Sequence, residues 1–249
     1  MLPLLSTCVL LLISAAVVLA RLRFHSEMAS DGLDFPRFTV AIASVVAATA
    51  LGLNAIGDEV VDPFLASMRL GENLSDLLGY LYLVAACSFF AGQSLTILTK
   101  RLPGDRASDL RPASLIGCGV VALALIALSR LSSARTVPAI QTEQFTDPAA
   151  VLYTATFWSV IIVTATLVLA AAVVGSRDHG LHGQLAAMGV AGGISAVIAT
   201  FVLSRLIFDH GRTSAWLSCY GQWWTVPGLI GITVAGLLGI PRSAIRPRR

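Results

Sequence analysis

An all-α, polytopic bundle of seven transmembrane helices is the fold class this sequence predicts, and three observations predict it. Of its 249 residues, 56% are hydrophobic and 12% charged, with a mean hydropathy of +0.80, a balance that a water-exposed domain of this size could not carry on its surface. The apolar residues gather into seven stretches of roughly the 20 residues needed to cross a bilayer. The interiors of those stretches hold essentially no Asp, Glu, Lys, Arg or His. Lipid admits only helices or closed barrels, because backbone polar groups must be satisfied without water, and continuous rather than alternating apolar runs read as helices.

The first stretch, near 2–20, resembles a secretory signal in length. It has no basic residues before Leu2, however, and carries Arg21 and Arg23 after its apolar run, so it reads as a retained helix. The second, near 38–56, follows a basic loop with Pro36 at its boundary. The third, near 77–98, follows the acidic segment 57–76; there Ser75 or Asn73 suits an N-cap and Asp76 sits favourably against the helix dipole. The fourth, near 113–129, begins after Pro103 and Pro112, and the fifth, near 149–174, after Pro148, all placed where a span starts or stops. The sixth, near 185–207, contains Gly189 and Gly193, a GxxxG pair that lets two helix backbones approach and is the expected face for homo-oligomer formation. The seventh, near 224–240, is rich in glycine and has Pro227 within its first turn. These spans make one transmembrane domain over 1–249, with no linker long enough for a second.

Lys and Arg resist translocation and collect in cytoplasmic segments. An exported amino terminus and a cytoplasmic carboxyl terminus put Arg21, Arg23, Arg37, the Lys100–Arg111 cluster, Arg177 and the four arginines from Arg242 to Arg249 inside. That is twelve of the 17 cations. Five fall outside, together with Asp58, Glu59, Asp62, Glu72, Asp76, Glu143, Asp147 and Asp209. The net charge of +3 reflects this sorting and gives no sign of nucleic-acid binding. Trp216, Tyr220, Trp223 and Trp224 in the last outer loop read as interfacial anchors, with a ligand platform as the second reading.

Several chemistries find no residues to carry them. Cys8, Cys87 and Cys118 lie in spans as small hydrophobes and Cys219 is alone in a loop, so no disulfide framework is implied. The four histidines are all in loops, which argues against axial haem ligation and gives no metal set. The single lysine, Lys100, is in an inner loop, so a retinal Schiff base has no site. No phosphate loop, HExxH or GxSxG motif occurs, so neither an enzyme nor a cofactor is expected.

Two uncharged polar side chains stand out, Asn54 near the outer end of span two and Gln93 deep in span three. At 1.5 Å per residue, Gln93 is roughly 24 Å below the outer start of its helix whereas Asn54 is close to its own outer end, so the two cannot meet. Asn54 is instead level with Asn73, Ser75 and Asp76. One reading is purely structural, a helix cap. The other is an outward-facing polar pocket lined by Asn54, Asn73, Asp76 and Arg130.

The run from Leu51 through Asn54, and Asn73-Leu74-Ser75-Asp76-Leu77 leading into a Tyr- and Ala-rich helix, resembles actinobacterial seven-span integral membrane proteins described as transporters of unknown substrate. That resemblance implies a multi-pass protein of the bacterial cytoplasmic membrane. Richness in Ala, Val, Gly and Arg with one Lys suits a high-GC bacterium or a phage of one. Three function classes follow. The first is a membrane sensor or protein-interaction module, favoured by unbroken helices without mid-membrane charges. The second is a transporter of a neutral or amphipathic solute, and the third a prophage-type exclusion or immunity factor.

Overall fold

A computed structural model of the chain describes residues 2–23, 35–53, 56–68, 74–99, 107–132, 147–175, 182–208 and 228–238. Among the described residues every regular element is a helix. They are α1 (Leu2–Arg23), α2 (Phe35–Leu51), a π-helical turn (Gly57–Val61) running into α3 (Asp62–Ser67), α4 (Leu74–Thr99), α5 (Ala107–Leu131), α6 (Pro148–Gly175), α7 (His182–Phe208) and α8 (Gly228–Leu238). All but the short α3 stand where the sequence predicts spans. Among the described residues four helical stretches, Leu74–Thr99, Pro112–Leu131, Pro148–Gly175 and Gly183–Ser204, are long and apolar enough to cross a membrane, and α2 and α8 contribute shorter apolar helices.

Local chemistry sets several boundaries. Pro148 opens α6 at the first helical position, where its missing N–H costs nothing. Span two ends earlier than expected: α2 stops at Leu51, Gly52 and Leu53 make a turn, and the chain re-enters helix as the π-helical turn. Pro112 corrects another expectation. It lies inside α5, which begins at Ala107, rather than at the helix boundary.

The helix α4 is the hub, packed against α2, α5 and α6, with half of its apolar stretch buried compared with 11% for the peripheral α5. One core cluster joins Leu11 of α1, Phe38 and Ile42 of α2, Phe90 of α4, Val168 of α6, Met188 of α7 and Leu229 of α8. A second, between α4, α5 and α6, is built on Leu77, Tyr80, Val84, Leu125, Tyr153 and Phe157.

Lipid tails are as apolar as leucine, so helix association here depends on close packing and hydrogen bonds rather than on water exclusion. The α6–α7 contact is the most extensive, and small residues make it possible. A Cβ added at Gly189 would lie 2.7 Å from the Ala172 Cβ, and one at Gly192 3.0 Å from the Ala165 carbonyl oxygen. The face expected to serve a second copy is therefore covered by α6 of the same chain. Gly193 is looser, 4.0 Å from Leu169 Cδ1.

Glycines also seat α8. A Cβ at Gly231 would lie 2.5 Å from the Ala191 Cβ of α7, and one at Gly236 2.9 Å from Ile42 Cδ1 and 3.0 Å from Val17 Cγ1. The buried hydroxyls of Ser14 and Thr233 stand 2.7 Å apart and tie α1 to α8. Each is also within bonding distance of its own helix, Ser14 Oγ 2.7 Å from the Leu10 carbonyl and Thr233 Oγ1 2.6 Å from the Leu229 carbonyl. With one hydrogen each, one hydroxyl bonds across the interface while the other donates back to its own helix.

Candidate functional site

Buried polar side chains occur along the whole bundle, from Ser14, Ser88 and Thr164 within helices to Ser75 and Arg21 near their ends. At one end two carboxylates cap helices. Asp62 of α3 accepts the Ser75 backbone N–H at Oδ1 and the Ser75 hydroxyl at Oδ2, both at 2.8 Å, so it caps α4 from outside that helix. Ser75, one of the two residues expected as the cap, lies within the first turn of α4 and is fully buried. Gly57 completes the joint: a side chain there would run into the Leu51 carbonyl and the Ser75 hydroxyl. Asp147 precedes α6, accepting the Ala149 N–H at 2.9 Å and the hydroxyl of Ser132, just past α5, at 2.8 Å.

Removing the Asp62 carboxylate should cost about 1–3 kcal/mol, because it leaves a buried hydroxyl and a helix N–H without their acceptor. Thermal unfolding of Asp62→Ala in detergent should show this as a lowered Tm. Asp62→Asn should recover much of it, since its amide oxygen accepts the N–H while its NH2 donates to Ser75 Oγ.

Beside this cap, burial and the neighbouring Asp62 and Glu59 carboxylates raise the Asp58 carboxyl above the usual aspartate range. The folded turn therefore holds a proton more tightly than the unfolded chain does. Stability should rise as pH falls through that raised value and be lost as pH rises through it. A series of Tm values from pH 4 to 8 should show that component in the native chain and lack it in Asp58→Asn.

Asp76 lies in the first turn of α4, as expected from the helix dipole, and is half-buried within electrostatic reach of the Tyr80 and Tyr153 phenols. Tyr80 stacks on Phe157 at 4.1 Å and 11° between ring planes, and on Tyr153 at 5.3 Å and 29°. Trp158 meets Phe157 edge-on at 5.3 Å. Tyr153 is 0% exposed, and among the described residues neither its hydroxyl nor the Trp158 indole N–H has a hydrogen-bond partner. The buried Tyr153 hydroxyl, within electrostatic reach of the Asp76 carboxylate, is a donor that can serve a hydrogen-bond acceptor, and the stacked rings around it are packed against one another.

At the opposite end is a group that sequence reasoning placed in a loop. Arg21 belongs to the last turn of α1 and is 2% exposed. Its Nε donates to Thr39 Oγ1 of α2 at 3.1 Å, its Nη1 to the Gly236 carbonyl of α8 at 2.9 Å, and its guanidinium lies 5.1 Å from the Phe38 ring centroid. One side chain thus joins three helices through fixed donor geometry.

Of the four predicted pocket residues, Asp76 and Arg130 are among the described residues. Asn54 and Asn73 lie outside the described residues, as do Lys100, Cys219 and the Trp216–Trp224 cluster. Asp76 lies within electrostatic reach of the tyrosine stack, and Arg130 is exposed in the last turn of α5. Gln93 is buried in α4. The missed residues carried one faint signal: Tyr80 follows Asp76 by four positions and Phe157 follows Tyr153 by four, the spacing that stacks side chains on one helix face. No protein-family model matches the chain, and neither the curated proteins nor the solved structures contain a match.

Proposed function

We propose that the chain is a multi-pass protein of a bacterial cytoplasmic membrane, with seven spans, its amino terminus outside and its carboxyl terminus inside, that acts as a sensor or protein-interaction module. The observation that carries this reading is the continuity of α4, α6 and α7. Transport sites in membranes commonly rest on interrupted helices whose freed backbone groups face the substrate. Here the hydroxyls of Ser88, Thr96, Thr99, Thr166 and Ser204 bond back to carbonyls of their own helices. The end bearing Asp58, Glu59, Asp62 and Asp147 is the face offered to a ligand or partner, braced by the two caps. Photo-crosslinking from position 59, which is exposed, followed by gentle solubilisation, should recover one defined partner. Recovery of none would count against the module.

A second reading, transport of a neutral or amphipathic solute, draws on the buried Tyr153 hydroxyl and Trp158 N–H, which are donors ready for a solute acceptor. Proteoliposomes should show no flux across a broad solute panel under the first reading. A flux abolished by Tyr153→Phe would establish the second.

A further inference from the structure

The segment between α2 and α4 carries a feature that neither its capping role nor the bundle core uses. Ile56, Val60, Phe64 and Met68 recur at every fourth position through the π-helical turn and α3, and each is exposed, by 38%, 61%, 57% and 53%. Asp58 and Asp62 fall two positions away from Val60 and Phe64, which in a helix is close to the opposite side. The Asp62 bonds to Ser75 turn that acidic side towards the start of α4. The result is a short amphipathic rod at the end of the bundle, its apolar ridge facing away from the protein. Residues of the membrane-crossing helices are exposed to the same degree, such as Leu123 of α5 at 68% and Val163 of α6 at 59%.

We infer that residues 56–68 lie in the membrane interface, with Val60, Phe64 and Met68 bedded at the boundary between headgroups and acyl chains and the exposed Glu59 carboxylate turned to water. An amphipathic segment of this kind binds a bilayer through its buried apolar area while its polar face stays solvated. The occupant is the lipid surface because the ridge belongs to a loop joining two apolar helices, α2 and α4, and so cannot leave the end of the bundle. The Asp62–Ser75 joint then acts as the pin that fixes the rotation of the rod. This inference rests on the membrane reading of the bundle.

Spin labels test it in nanodiscs of phosphatidylcholine and phosphatidylglycerol, in a chain whose native cysteines are replaced by alanine. Labels are placed singly by Val60→Cys, Phe64→Cys, Glu59→Cys and Leu123→Cys. Labels at 60 and 64 should relax several-fold more with oxygen, which partitions into lipid, than with a water-soluble nickel chelate, and the label at 59 should show the reverse. Equal nickel access at 59 and 64 overturns the inference. So does spin–spin broadening at 64 between two copies, which would make the ridge a protein contact. If the label at 123 also favours nickel, the bundle is not in lipid and the membrane reading falls together with this inference. Oxygen preference at 123 but not at 64 removes only the interfacial rod.

Discussion

Arg21→Ala should lower the stability of the bundle by about 3 kcal/mol or more, since it removes two hydrogen bonds donated by a charged group at roughly 1.5–3 kcal/mol each. The loss is concentrated where three helices meet, because the Gly236 carbonyl of α8 and the Thr39 hydroxyl of α2 both lose a donor they receive from α1. Packing is lost as well, as the guanidinium lies 5.1 Å from the Phe38 ring centroid and the side chain is 2% exposed. Arg21→Lys should fall between the two, because an ammonium keeps the charge but replaces a planar fork with a single point donor. Arg21→Met retains the stem and separates packing from hydrogen bonding. Thermal unfolding followed by circular dichroism should rank native above Lys, Lys above Met, and Met above Ala. An alanine variant melting with the native chain would show that Arg21 does not hold α1, α2 and α8 together.

Gly189→Leu should be the second most damaging change. The first added carbon alone would lie 2.7 Å from the Ala172 Cβ, well inside van der Waals contact, so the whole side chain forces α6 and α7 apart. Inserting bulk into a packed interface costs about 1–3 kcal/mol and sometimes more, and this pair makes the most extensive helix contact in the protein. Gly193→Leu is the matched comparison. It lies one turn further along α7, 4.0 Å from the flexible Leu169 side chain, and should be tolerated with a smaller Tm loss. Because α6 already occupies this face, Gly189→Leu should act on the folding of single chains and leave any self-association at other surfaces. Gel filtration in detergent alongside the melt distinguishes the two effects.

The sequence made the helices legible because hydrocarbon imposes so few solutions. The fifth apolar run, expected near 149–174, is α6 at Pro148–Gly175, and the third, expected near 77–98, lies within α4. Boundaries set by tertiary contacts were less visible. The end of α2 at Leu51 depends on Gly57 fitting beneath the Leu51 carbonyl and the Ser75 hydroxyl, a contact between separate segments that periodicity does not encode. Asp62 looked like one of several solvated outer acids, yet it caps a helix whose first residue is twelve positions further on. Arg21 was hidden because the first apolar run ends at residue 20 and the arginines after it read as part of a basic loop. The partner that keeps it inside, Gly236, is 215 residues away. The Asp76 to Tyr80 spacing was readable on α4, but its pairing with Tyr153 and Phe157 required knowing that α4 and α6 are neighbours.

Everything proposed for the protein depends on the bundle crossing a bilayer with its carboxylate-capped end exported. The most direct measurement is reaction of a membrane-impermeant maleimide with single cysteines placed by Glu59→Cys and Arg249→Cys in intact cells, with native cysteines replaced by alanine. Position 59 should label from outside without permeabilisation, and position 249 only after the membrane is opened. Labelling of 249 in intact cells, or recovery of the chain as a monodisperse protein without detergent, would contradict it.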